Sequence, residues 1–420
     1  MTSSPPPSAC PAHALTTGLP PLSSATTCAD PRGVYRRLRE QWGSVARVEL
    51  EPGVAAWLVM GYEEILTITR QERLYSRDAR NWRDFQEGVV APDSGLGPMM
   101  FWRANVIGAD GAEHRRLRRP LDYGVAKIDQ RRMRRSVQAT CTELITGFAG
   151  QGSADLVAQY AAVIPMLAVA DLFGLDTGQG HELLVALMAL FGSADDSQAG
   201  NRRFEEILSG VMHARRHAPT GDLTSVFLAN PELRNDDEIL QSIVVMVSAG
   251  YETTTTWIAQ TLRLMLTDPR FEGRLRGGRL GVDDALDEVL WRDPPMSNMP
   301  ARYALRDTEL GGRRIQRGDA LILGLAAAND DPRVHTDDSS TELGNRAHLA
   351  WSAGPHACPA QVPARIITRT AVETALHLLP HLRLAVPAEA ITPRPSPWTR
   401  CPASLPVHFT PSVAHSTARP

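Results

Sequence analysis

Several things are scarce in this 420-residue chain, and each shortage closes off a class of function. Among its 44 basic residues Lys127 is the only lysine, so 43 are arginine, a bias of GC-rich coding more than a physical adaptation. The formal charge is −3, which gives no reason to expect nucleic acid or an anionic membrane as partner. The five cysteines, Cys10, Cys28, Cys141, Cys358 and Cys401, are odd in number, far apart and without C-x-x-C spacing. They imply neither a disulfide framework nor a zinc site, and a reducing cytoplasm is the expected compartment. No apolar run is long enough to cross a bilayer, and the start, rich in Pro and Ser, lacks a basic segment followed by an apolar one. Residues 1–29 are expected to be a disordered or loosely attached arm and 411–420 a flexible tail, with one domain over 30–410.

What is present begins with a helical pattern from Pro31 to Trp42. Two short strands follow, Ala46–Leu50 and Ala55–Met60, joined by a turn at Glu51-Pro52-Gly53, and then a helix over Gly61–Arg70. Residues 76–110 carry Trp82, Phe85, Phe101 and Trp102 with little periodicity, and a loop that long inside a compact protein usually serves function. In DGAEHRRLRRPL, His114 and Arg118 stand four apart, on one helical face. Amphipathic helices dominate from Ser136 to Arg216. A single long helix, capped by Asn235 or Asp236 and stopped by Pro269, then spans Asp236–Asp268.

Two stretches carry the chemistry. Mid-way along the long helix runs Ala249-Gly250-Tyr251-Glu252-Thr253-Thr254. Here a threonine hydroxyl can bond back to the preceding turn and bend the helix, Gly250 leaves room for a small molecule, and Glu252 is an ionisable group in an apolar span. Downstream, WSAGPHACPAQVPAR holds Cys358 between Gly354 and Pro359, with His356 two residues before the sulfur and a helix from Ala364. A cysteine in a tight Gly/Pro turn at a helix start is placed to ligate a metal while backbone approaches a flat cofactor.

The cysteine stretch resembles the haem-ligand loop of cytochromes P450, with Trp351, Gly354, His356 and Cys358 at the aromatic, glycine, basic and cysteine positions. The Ala249–Thr254 stretch is similar to the central-helix signature of the same family. The resemblance covers residues 30 to 410 and implies a mainly α haem-thiolate protein with a small β region, the triangular-prism P450 fold. It implies haem b on Cys358 as axial ligand, with Ala249, Gly250 and Gly354 against the cofactor and His114, Arg118, Arg302 and His356 at its propionates. It further implies Thr253 bonding to the oxygen being reduced, Glu252 relaying protons, and Trp82, Phe85, Ser297, Asn298 and Met299 facing the substrate. Electrons would come from NAD(P)H through a reductase and a ferredoxin or flavodoxin at a basic proximal face, formed by Arg115, Arg116, Arg119, Arg131, Arg132, Arg134 and Arg135. The substrate would be a natural product or small peptide, hydroxylated or oxidatively coupled.

The chain departs from that family in one respect. The expected Glu-x-x-Arg reads Glu288-Val289-Leu290-Trp291, and the usual arginine before the cysteine is replaced near Ser340, so both arginine partners of Glu288 are missing. The motif is that of a minority Glu-x-x-Trp subgroup of actinobacterial P450s. A buried carboxylate so deprived must be repaired by other bonds or be protonated. Either the fold tolerates the change, or the protein is a P450-like haem-binding or regulatory protein with little turnover. The intact Glu252-Thr253 pair favours the first. Pro359, lacking an N–H, is expected to leave the Cys358 sulfur one hydrogen-bond donor short.

Overall fold

Helix α1 (Pro31–Trp42) begins where the Asp30 carboxylate accepts the N–H of Gly33 at 2.9 Å and Pro31 fills the first position. Strands β1 (Val45–Glu51) and β2 (Val54–Val59) form the expected hairpin, with Gly53 in the left-handed region at φ +80°. They precede α2 (Tyr62–Arg70) and β3 (Tyr75–Ser76). The structure, a computed structural model, describes residues 18–190, 194–272, 281–334 and 344–411. Far along the chain β4 (Asn298–Ala304) and β5 (Ala320–Gly324) complete a sheet of order β1-β2-β5-β4-β3. Strand β5 runs parallel to β2 and is buried at all five residues, as a central strand covered on both faces should be.

The arm expected over residues 1–29 is corrected from residue 18 onward. Leu22 donates its N–H to the Glu49 carbonyl at 2.8 Å and Glu49 donates to Pro20 at 2.9 Å, while Leu22, Ala25 and Cys28 are buried. The free edge of β1 offers unpaired backbone groups, and this segment satisfies them. Residues 1–17 and 412–420, the rest of that arm and of the expected tail, lie outside the described residues, as does Ser340.

The helical part comprises α3 (Gly111–Lys127), α4 (Gln130–Phe148), α5 (Val163–Leu172), α6 (Thr177–Leu190), α7 (Ala194–His217), α8 (Asp236–Thr267), α9 (Val282–Arg292) and α10 (Gln361–Leu378). Asn235 caps α8, its side chain accepting the Glu238 N–H at 2.9 Å, with three acidic residues in the first turn to meet the positive helix end. The helix runs 32 residues, about 48 Å at 1.5 Å per residue. It contributes to two hydrophobic clusters, one shared with α4, α9 and α10 and one with α5, α6 and α7. Every other part of the site is placed relative to α8.

Candidate active site

The cysteine loop is held by backbone bonds. Cys358 donates its N–H to the Trp351 carbonyl at 2.9 Å, and Ala357 donates to Gly354 at 3.0 Å. Gly354 sits at φ +68°, and a Cβ there would lie 2.3 Å from the Thr69 carbonyl oxygen at the end of α2. Only glycine fits that approach. Burial pushes the Cys358 thiol up, while an N–H from Ala360 and the nearby Arg118 charge pull it down. The chain alone therefore favours the neutral thiol, and a bound metal would have to supply the stabilisation of the thiolate.

One face of this loop meets α3 through buried cations and imidazoles. The rings of His114 and His356 lie 3.9 Å apart between centroids, and the two ring nitrogens of His114, Nε2 of His356 and one guanidinium nitrogen of Arg302 are buried without a hydrogen-bond partner. Arg302 is fully buried, and its pKa is driven well down by that burial and by the neighbouring Arg77 charge. Burial also lowers the His114 pKa to about 4 and holds His356 far below the ordinary histidine range, with Arg302 and Arg77 adding to the effect. Arg118 donates to the Pro355 carbonyl at 3.0 Å and pairs with Asp122 at 2.7 Å. Two buried guanidiniums and unpaired imidazole donors beside a cysteine turn are the donor set for a flat cofactor that bears carboxylates. The residues present fit haem.

Sequence reading missed Arg77, which is buried, has its pKa lowered to about 10 by desolvation and bonds to the backbone of β4 at Ala301. Nothing in Ser76-Arg77-Asp78 marks it, because its burial is decided by strands distant in sequence. Asp110 and Glu72 also approach His356 Nε2, at 3.9 and 4.0 Å.

On the α8 side the helix runs without interruption through the Thr253 back-bond, whose hydroxyl donates to the Ala249 carbonyl at 2.8 Å. Ala249 is exposed and Gly250, Glu252 and Thr253 are part-exposed, midway along a helix otherwise well buried, so these residues border open space. A Cβ on Gly250 would meet Val169 of α5 at 3.4 Å, an ordinary contact, so the packing of α5 does not itself require glycine there. Glu252 accepts from Arg394 at 2.6 Å and from the Thr399 hydroxyl at 3.2 Å. Thr399 lies in the stretch Trp398–Ala403 that the resemblance places at the pocket, whereas nothing in the sequence marks Arg394, which sits in a Pro-rich segment whose path only the fold decides.

The expected substrate residues divide. Trp82 is buried in the core beside Tyr303, 6.0 Å between ring centroids, and does not line an opening. Ser297 donates its N–H to Trp398 at 2.8 Å, and Asn298 donates from N–H and side chain to Trp398 and Pro397, which ties both to the C-terminal segment. Met299 packs into the cluster on the other face of the sheet. Phe85 alone among them is exposed, its ring tilted against Phe101 at 4.8 Å and stacked on Trp82 at 6.4 Å between centroids. Strand pairing of β4 with β5 accounts for the difference at 297–299, because the strand begins there.

The basic face is smaller than its sequence implies. Arg116 is buried and pairs with Glu113 and with Glu238 of α8 at 2.8 Å, and Arg119 pairs with Glu232 at 2.9 Å. Arg115, Arg119, Arg131, Arg132, Arg134 and Arg135 remain exposed. Glu288, deprived of the arginines expected from the resemblance, is paired instead by Arg270 at 2.9 Å and Arg292 at 2.5 Å. Trp291 is buried, donates Nε1–H to the Asn345 carbonyl at 2.9 Å and stands edge-on to His348.

A mainly helical protein whose cysteine turn packs, through Trp351 and Trp257, against the central helix that carries Glu252 and Thr253 has the make-up of a haem-thiolate oxidoreductase. No protein-family model matches the chain. It is 29% identical to 2-hydroxy-5-methyl-1-naphthoate 7-hydroxylase of Streptomyces carzinostaticus, over 91% of this chain and 95% of that protein. It is 30% identical to biflaviolin synthase CYP158A1 of Streptomyces coelicolor, over 87% and 90%. The solved structure of CYP154A1 from Streptomyces coelicolor superposes with a TM-score of 0.80 at 30% identity, covering 93% of this chain and 99% of that one. The chain belongs to the cytochrome P450 family, and the relatives it matches are bacterial. It is an oxidoreductase that uses haem and takes electrons from NAD(P)H through redox partners. No helix among the described residues is long and apolar enough to cross a membrane.

Proposed function

We propose that this enzyme hydroxylates or oxidatively couples an aromatic natural product or small aromatic peptide in the cytoplasm of an actinobacterium, as a Glu-x-x-Trp member of its family. The observation that carries the reading is the juxtaposition on α8 of the Glu252 carboxylate and the Thr253 hydroxyl beside exposed Ala249, with a buried, anion-seeking cradle at the cysteine loop. Bound haem supplies the iron at which dioxygen is reduced and the substrate oxidised. Cys358 would ligate it, while Arg302, His114, His356 and Arg118 would hold its carboxylates, joined by Arg77. The Thr253 hydroxyl, released from Ala249, would donate to the oxygen side. Glu252, reaching solvent beside half-exposed Arg394, would return the proton. The naphthoate hydroxylase among its relatives supports an aromatic substrate.

A ferredoxin or flavodoxin would dock on Arg115, Arg131, Arg132, Arg134 and Arg135, because α4 packs against α10, the helix that leaves the cysteine. The basis for a non-catalytic reading, an unpaired Glu288, is absent, since Arg270 and Arg292 pair it. The test is the reduced, CO-bound spectrum of the purified protein. The red-shifted Soret band of a thiolate ligand is expected, lost in Cys358→Ala; a protein that takes up no haem would overturn the reading. Thr253→Ala and Glu252→Gln should keep that band and lose product.

A further inference from the structure

Two neighbouring carboxylates on α9 point about 100° apart around the helix and serve different ends. Glu288 is engaged outward by Arg270 and Arg292. Asp287, with less of its side chain exposed, receives Arg365 of α10 in a close ion pair, and Arg346, from the segment before the cysteine, approaches it at 3.7 Å. Arg365 is seven residues past Cys358. Its guanidinium lies 5.6 Å over the ring of Trp257 on α8, and Trp257 itself donates Nε1–H to the Leu286 carbonyl of α9 at 3.1 Å. The same ring meets Trp351 edge-on at 5.3 Å, and the Trp351 carbonyl accepts the Cys358 N–H.

An unbroken set of contacts therefore runs from Asp287 through Arg365 and Trp257 to the backbone that sets the sulfur. We propose that Asp287 and Arg365 are the positioning pair that clamps the cysteine loop against α8. The inference rests on the haem-thiolate reading above and names residues that touch neither the cofactor nor the substrate. The physical reason is the planar guanidinium, which can bond to a carboxylate at its edge while its face lies on an indole. Lysine has no such face. Removing either partner leaves the other with only a longer contact, Asp287 with Arg346 and Arg365 with Asp283, each at 3.7 Å, and the Trp257–Trp351 contact without its close support.

The experiment uses the full-length, haem-loaded protein. Asp287→Asn, Arg365→Gln, Arg365→Lys, the double variant Asp287→Asn/Arg365→Gln and the control Arg369→Gln are compared. Arg369 sits one turn on, pairing with Asp283 and Glu373 at the surface. The reading is the rate at which the thiolate-type Soret band of the CO complex converts to the blue-shifted band of a protonated or displaced ligand on mild warming, with far-UV circular dichroism melting taken in parallel. Asp287→Asn and Arg365→Gln should each convert about fivefold faster than the parent, and the double variant no faster than Arg365→Gln, since a broken pair can be broken only once. Arg365→Lys should fall between, and Arg369→Gln should match the parent.

Parent-like conversion in both single variants would overturn the proposal. So would a double variant whose effect is the product of the two, or a lowered melting temperature with unchanged conversion, which would mean stability without positioning. Should Arg365→Gln not fold, Arg365→Lys and Asp287→Asn decide the same question. A parent protein with no thiolate-type band would instead defeat the haem-thiolate reading and this pair with it, whereas a normal parent with indifferent variants defeats the pair alone.

Discussion

Arg394 holds the carboxylate that the proposed chemistry needs to move. With Arg394→Ala, Glu252 keeps only the Thr399 hydroxyl as a partner, so it loses the contact that orients it toward solvent. Product formation per NAD(P)H consumed should fall about tenfold, less than the roughly hundredfold or more expected for loss of the proton-transfer group itself, with the difference appearing as hydrogen peroxide and substrate affinity unchanged. Unaltered coupling would remove Arg394 from the relay. At the other side of the site, the Cys358 sulfur takes an N–H from Ala360, while Pro359 has none to give. Pro359→Leu restores a donor and should raise the reduction potential of the haem by roughly tens of millivolts, because a hydrogen bond withdraws electron density from the sulfur. Spectroelectrochemical titration checks it, and an equal or lower potential would show that the restored N–H does not reach the sulfur.

Among the elements, α8 was the most legible and also the most consequential. Its cap, acidic first turn and stop at Pro269 bracket Asp236–Thr267, within one residue of the span the sequence marks. Asn235→Ala removes the side chain that accepts the Glu238 N–H and should cost about 1 kcal/mol, lowering the urea midpoint without changing the slope. A slope change would mean that the unfolding unit had altered. Strand β5 owes its place to a different property: an uninterrupted apolar run between turn residues suits a strand covered on both faces. The segment at 18–29 was not legible, since Pro and Ser composition reports poor local propensity and says nothing of a sheet edge waiting to be paired.

For the whole molecule, buried histidines set the acid limit. Burial lowers the pKa of both His114 and His348 to about 4, so each is neutral in the fold and takes a proton more readily once unfolded, at about 6.5. The unfolded state thus binds more protons between those values. The stability these groups allow is complete above pH 6.5 and is lost as the pH falls toward 4. The loss is on the order of 3 kcal/mol for His348 and smaller for His114 once the carboxylates it would hold are in place. His348→Gln should flatten the fall in urea-unfolding free energy between pH 6.5 and 4.5, and an unchanged slope would mean that His348 is already protonated in the fold.

The sequence by itself determined the family likeness, the span of the long helix, the cysteine turn with its glycine, and the Glu252-Thr253 pair, because each depends on contacts within a few residues or on a fixed motif. It also showed that Glu288 had lost its expected arginines. Only the tertiary structure decided what replaced them, that Arg77 is a buried cation, that Arg116 leaves the surface to pair with Glu238, and that Trp82, Ser297 and Asn298 serve packing and strand pairing. Those outcomes depend on which distant segments arrive beside a side chain. Burial and charge pairing, unlike helix periodicity and turn chemistry, are properties of that meeting and not of the local sequence.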